Sequence, residues 1–127
     1  MRATNLAGLY DLLAASCQPG RPSDAEMLRQ LQAMALQPAP LAMYAAELGL
    51  TQTELRALTS RATGRTPMQV VLEARVDEAK ILLAGTRLSV AEIGRRVGYD
   101  DPGYFSRLFD RMVGQPPSQF RKIGGLH

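Results

Sequence analysis

The chain of 127 residues is 46% apolar and 21% charged, an ordinary globular composition that fits one modest domain or two very small ones and excludes a large multi-domain enzyme. Its formal charge of +3 is uneven: residues 1–50 hold three Arg against four acids and residues 51–127 twelve basic side chains against eight acids, so an anionic partner belongs to the second part. One cysteine (Cys17) and one histidine (His127) supply little metal or nucleophile chemistry, no apolar run nears the roughly 18–20 residues of a membrane span, and a reducing, cytoplasmic setting is expected.

In chain order, Leu6, Leu9, Tyr10, Leu12 and Leu13 have helical spacing, and Gln18–Pro22 closes that segment as a Pro/Gly turn. Arg2, the apolar stretch and Cys17 faintly suggest a lipoprotein signal, which Asp11 interrupts. Ser23 and Glu26 complete a capping box ahead of Met27, Leu28, Leu31, Met34 and Leu36, which predicts a second helix broken by Pro38 and Pro40. Helical period resumes over Leu41–Leu48 and continues to the C-terminus with almost no β-branched alternation. The breaks fall at Gly49, Gly64–Pro67, Gly85–Leu88, Gly98–Pro102 and Gly114–Pro117. The expected fold class is all-α.

Those breaks repeat. Aligning Gly49 with Gly98 places a small residue, Ala45 or Gly94, four positions earlier, and brackets each glycine with apolar neighbours, Leu48 and Leu50 or Val97 and Tyr99. After a one-residue offset, Leu55, Leu58, Gly64 and Pro67 correspond to Phe105, Leu108, Gly114 and Pro117. A small residue where two helices cross, a glycine to turn the chain and apolar residues around the crossing are what a helix-turn-helix requires. Gly94 is telling, because glycine inside a helix costs about 0.8–1 kcal/mol against alanine and so suggests a packing reason. Met112 is expected to join Phe105, Leu108 and Phe109 in the second core. Thr51 or Gln52 should open the second helix of the first unit, and Asp100 or Asp101 that of the second, with Pro102 in its first turn. The two aspartates could alternatively form a metal or catalytic pair, but no histidine lies near them and the capping role accounts for them.

Between the units, Thr66 and Pro67 open a long helix through Leu83, with Val70, Val71, Ala74, Ala79, Leu82 and Leu83 as its apolar face. The expected organisation is residues 1–22 as an N-terminal helix and turn, 23–65 as a first helix-turn-helix subdomain, 66–84 as a linker helix and 85–127 as a second helix-turn-helix subdomain.

The run Ala91-Glu92-Ile93-Gly94-Arg95-Arg96-Val97-Gly98-Tyr99, followed by Tyr104-Phe105-Ser106-Arg107-Leu108-Phe109 and by Gly114-Gln115-Pro116-Pro117-Ser118-Gln119-Phe120-Arg121, resembles the C-terminal signature of the AraC/XylS family of bacterial transcription regulators. Arg75, Ala79, Leu82 and Leu83 match the family's linker helix. The resemblance covers Leu41–Lys122, about two-thirds of the chain. It implies binding of an asymmetric promoter site in double-stranded DNA by two recognition helices, with effects on transcription through RNA polymerase and no cofactor.

Carried onto this sequence, the family's base-facing positions in the first recognition helix are Gln52, Thr53, Arg56, Ala57 and Ser60. Arg56 can meet guanine bidentately and Gln52 suits adenine, whereas Glu54 could repel phosphate. In the second they are Pro102, Gly103, Ser106, Arg107 and Arg111. Here the sequence departs from the pattern, since Pro102 and Gly103 stand where polar side chains are common, so base reading rests mainly on Arg107. Arg61, Arg65, Arg95, Arg96, Tyr104 and Arg121 are candidate phosphate contacts, each of which could instead be a plain surface or packing residue.

Residues 1–40 are too short for the ligand-binding and dimerisation domain that many members carry, so the chain reads as a fragment of a longer regulator or as a short stand-alone member. A competing reading is a protein-interaction module, a decayed helix-turn-helix pair that binds polymerase or another regulator without DNA. An enzyme has no constellation to build on, because the cysteine and the histidine are single and no phosphate-cradling glycine loop is present.

Overall fold

Proline and glycine cut the chain into short helices. In the computed structural model, which describes residues 22–124, these are α1 (Asp24–Met34), α2 (Leu41–Glu47), α3 (Gln52–Thr63), α4 (Pro67–Gly85), α5 (Val90–Arg96), α6 (Pro102–Val113) and α7 (Pro117–Gly124). There is no strand among the described residues, and the all-α expectation holds. The predicted helix over residues 6–15 lies outside them. No described helix is long and apolar enough to cross a membrane.

Five of the seven described helices start where a side chain satisfies a free N–H group, while α2 opens on Pro40 without such a cap. Thr51, Thr66 and Ser89 cap α3, α4 and α5 in full capping boxes with Glu54, Gln69 and Glu92. Asp101 caps α6 by accepting from Gly103 N at 2.9 Å, the role expected for one of the paired aspartates. Ser23 caps α1, but the box expected there is only half made. Ser23 Oγ accepts from Glu26 N, while the Glu26 carboxylate turns down the helix to Arg29 and Gln30. A bond between two charged groups outweighs one from the carboxylate back to the neutral Ser23 N–H, and the bond to Arg29 lowers the Glu26 pKa.

The tight turns form as the repeat predicted. Gly49 and Gly98 follow the ends of α2 and α5 with φ of 73° and 106°, left-handed backbone that a Cβ would strain. Leu50 N then bonds to Ala45 O and Tyr99 N to Gly94 O, at 2.9 and 2.8 Å, so one hydrogen-bond pattern recurs in both turns.

Two cores result. The first gathers Leu31 and Ala35 around Tyr44, Ala45 and Leu55, and closes on Val70 and Val71 of α4. The second gathers Ile93, Val97, Phe105 and Phe109 on Val76, Ala79 and Leu83 of the same helix, with Phe120 of α7 at its edge. Helix α4, about 28 Å long at 1.5 Å per residue, is thus the shared wall, its first half facing one core and its second half the other. The packing reason suspected at Gly94 is direct: a Cβ there would lie 3.1–3.3 Å from three Phe105 side-chain atoms. Met112 corrects the expectation that it joins this core. It is 38% exposed, because the helix turns it past the Phe105–Phe109 face.

Candidate nucleic-acid interface

Recognition helices must present polar side chains on a rigid face, and the periodicity of α3 and α6 divides them accordingly. In α3, Leu55, Leu58 and Thr59 point inward, leaving Gln52, Thr53, Arg56, Ala57 and Ser60 exposed along the other side. The capping box fixes the first turn that carries Gln52 and Thr53. It also occupies Glu54, whose carboxylate accepts from Thr51 N at 2.9 Å. The acid expected to repel phosphate is a structural cap.

In α6, Phe105, Leu108 and Phe109 are buried, and Arg107 and Arg111 are exposed. Ser106 is half-buried. The first turn has a bare surface at Pro102 and Gly103. A Cβ on Gly103 would stand 3.3 Å from Arg107 Nη1, so the missing side chain leaves room for the arginine to lie back over the helix start. The face that α6 can offer to bases is narrower than that of α3.

The ends of the two helices converge. A groove of about 320 Å³ over the middle of α4 is walled by Arg65, just after α3, and by Met112 and Val113 at the end of α6, with Glu73, Asp77 and Lys80 on its floor. Helices α3 and α6 therefore end on the same side of α4.

The candidate phosphate contacts divide into exposed side chains and cations engaged elsewhere in the fold. Arg95 and Arg96 are exposed at the end of α5. Tyr104 is 45% exposed, with its ring 5.6 Å from that of Tyr99. Arg65 pairs with Glu73. Arg61 reaches across to Asp24 through two bonds of 3.1 and 3.2 Å, which raise its pKa. Arg121 is turned inward, where Nε and Nη2 donate to the carbonyls of Leu83 and Thr86 at 3.1 and 3.3 Å. It caps the C-terminal end of α4, where the helix dipole favours a cation.

Along the sequence, Arg75 shows no task beyond its match to the linker helix. It is 6% exposed, and its guanidinium joins Ala35 of α1, Tyr44 of α2 and Tyr99 of the second turn. A charged residue at the fourth position between Val71 and Ala79 on a buried helical stripe is the signal that could have found it.

A helix-turn-helix domain model matches residues 44–123, well over half of the chain. The chain is 48% identical over 60 residues to the MmsAB operon regulatory protein of Pseudomonas aeruginosa, covering 47% of this chain and 20% of that protein. It is 37% identical over 81 residues to the arabinose operon regulatory protein of Escherichia coli, covering 64% of this chain and 28% of that one. Among solved structures, the C-terminal domain of AraT, a response regulator from Geobacillus stearothermophilus, superposes with a TM-score of 0.74 at 27% identity, covering 82% of this chain and 87% of that one. The chain thus spans less than a third of the length of these two curated relatives. With two repeated turns, a shared linker helix and a matching domain model over its second core and most of its first, the chain belongs to the AraC/XylS family of helix-turn-helix DNA-binding transcription regulators.

Proposed function

We propose that this chain binds an asymmetric, two-part promoter site, with α3 and α6 reading successive major-groove segments, and that it acts on transcription through RNA polymerase. The observation that carries this reading is the pair of matched turns on one rod, each followed by a helix with an exposed arginine, Arg56 or Arg107, at mid-face. Gln52, Thr53, Arg56 and Ser60 would read one segment and Ser106, Arg107 and Arg111 the other. Arg61, Arg65, Arg95, Arg96 and Tyr104 would position the protein on phosphates, with Arg61 and Arg65 leaving their carboxylate partners to do so. Major-groove segments one turn apart are about 34–36 Å from each other. The rod is shorter, so the site bends or the heads tilt.

Selection of bound duplexes from a random pool tests this. Two enriched motifs at fixed separation are expected, the one read by α3 carrying more information. Recovery of a single motif, or of none, would overturn the two-headed reading. Recovery of none together with capture of a protein by the same chain would favour an interaction module, a reading kept in view by the bare first turn of α6.

A further inference from the structure

Two cores on one helix, bridged outside it by Leu36 where it packs on the second core, do not by themselves require that the heads hold a fixed orientation. We infer that Arg75 is the positioning residue that locks them, and that it thereby sets the separation at which two DNA motifs can be read; this rests on the two-headed reading above.

Arg75 lies on α4 between the residues that serve the first core and those that serve the second. Its three nitrogens address three different elements. Nε donates to the carbonyl of Ala35, at the C-terminal end of α1, at 2.5 Å. Nη2 donates to Tyr44 Oη of the first head at 3.1 Å, and Tyr44 Oη itself donates to Gln37 O at 2.7 Å. Nη1 donates to Tyr99 Oη of the second head at 3.1 Å, and the guanidinium carbon stands 5.2 Å from the Tyr99 ring centre.

None of these partners is a carboxylate. A buried cation without a counter-ion is costly unless its donors are satisfied. Burial opposes the charge, and the bonds to Tyr99 and Tyr44 outweigh it, so the Arg75 pKa is raised. The buried donors of the guanidinium are all satisfied by protein only while both heads stay docked, which makes the cluster a lock that fails as a unit. The surfaces around it agree. A Cβ on Gly98, in the second turn, would stand 3.1 Å from Leu36 O and 3.4 Å from Pro38, so the turn of one head abuts the α1–α2 loop of the other.

Lysine has one nitrogen and cannot serve three divergent acceptors as the planar fork does. Arg75→Lys keeps the charge and loses the fork. Tyr99→Phe keeps the ring and loses one bond, and it gives a second variant should the first fold poorly. Two readouts are needed.

The first is independent of DNA. Spin labels on cysteines introduced at the exposed Ala25 of α1 and Ser118 of α7, with Cys17→Ser in every sample, report the head-to-head distance distribution. It should be narrow in the parent and broad in both variants. The second is selection among duplexes that hold both motifs at separations varied one base pair at a time. The parent's preference for its best separation over its neighbours should fall by about tenfold in the variants, the equivalent of one charge-assisted bond, while base preference within each motif is unchanged.

Distributions that stay narrow at the parent mean in both variants, or an unchanged separation preference alongside broadened distances, would overturn the inference. If the parent selects no two-part site, the two-headed reading fails, and the spin-label distances still decide whether Arg75 locks the heads.

Discussion

In the first unit Ala45 shares its core with Leu55 and Val71, and the recognition helix opens on Thr51, Gln52 and Thr53. In the second Gly94 lies beneath Phe105, and the recognition helix opens on Asp101, Pro102 and Gly103. Both turns still place a left-handed glycine after the first helix and repeat the same backbone bond. The bend therefore depends on a small residue at the crossing and a residue free to take positive φ, whatever fills the core. The second core is aromatic, with Tyr99, Phe105, Phe109 and Phe120 in a chain of ring contacts 5.6–6.1 Å apart. That bulk crowds a Cβ at Gly94 to 3.1–3.3 Å from Phe105, whereas the first core, in which Tyr44 is the one aromatic, accepts one at Ala45. The heads also differ on the outside: α3 offers polar groups from its first turn onward, whereas α6 opens on Pro102 and Gly103, with Tyr104 as the one polar side chain before Ser106.

The largest test of this contrast is Phe105→Ala. It removes the ring that Gly94 receives and is expected to cost about 3–5 kcal/mol, read as a lower urea midpoint, and a midpoint near the parent's would show that the second core is not built around it. Gly94→Ala comes next. The helix gains about 1 kcal/mol from alanine, but overpacking against a fully buried ring costs about 1–3 kcal/mol, so a net loss is expected. If Gly94→Ala raised the midpoint, the two crossings would be interchangeable after all.

For reading, Arg107→Ala and Arg56→Ala should each lower the ratio of specific to nonspecific affinity by about 1–3 kcal/mol, but unequally. Loss of Arg107 should leave the α6 motif with only the weaker contributions of Ser106 and Arg111, while loss of Arg56 leaves the contribution of Gln52 to the α3 motif. Equal residual preference in competition binding would mean that the bare first turn of α6 does not weaken it.

Smaller still is a pH effect at the start of α5 in the second unit. The Glu92 carboxylate is held below its ordinary pKa, chiefly by the Ser89 backbone N–H in the capping box and then by the Ser89 side chain. A depressed pKa means the stabilisation is complete above the ordinary carboxylate value and is lost as pH falls through the lowered one. The urea midpoint of the parent should fall in that acid window relative to Glu92→Gln, and parallel curves would show that the cap contributes nothing. The smallest effect is expected from Asp24→Asn. Stability should hardly change, because the pair is exposed. Arg61 then reaches phosphate without first giving up an ion pair, so affinity for DNA should rise slightly at low salt. An affinity equal to the parent's would remove Arg61 from the phosphate contacts.

Much of this molecule is legible before folding because its rules are local. Helix starts announce themselves as a hydroxyl or carboxylate followed closely by a glutamate, glutamine or free N–H, and the turn glycines recur at matching places in the repeat. Gly94 is legible too, since a costly residue in a helix asks for a neighbour that needs the space. The fate of the arginines is not. Arg61 finds Asp24 at a separation of 37 residues, Arg121 finds Leu83 O at 38 and Arg75 finds Ala35 O at 40. A surface cation, a helix cap and a buried lock look identical along a chain, because the difference lies in which carbonyl or carboxylate the fold brings within reach.

Sequence fixes the periodicity, the breaks and the duplicated unit, and with them the all-α architecture and the family, because these follow from steric and hydrogen-bonding rules that span a few residues. How the two heads face one another is settled only in three dimensions. Two turns, two cores and one rod satisfy every local rule in many relative orientations. Burial of one guanidinium between Ala35, Tyr44 and Tyr99 selects among them, since only there are its donors satisfied away from water.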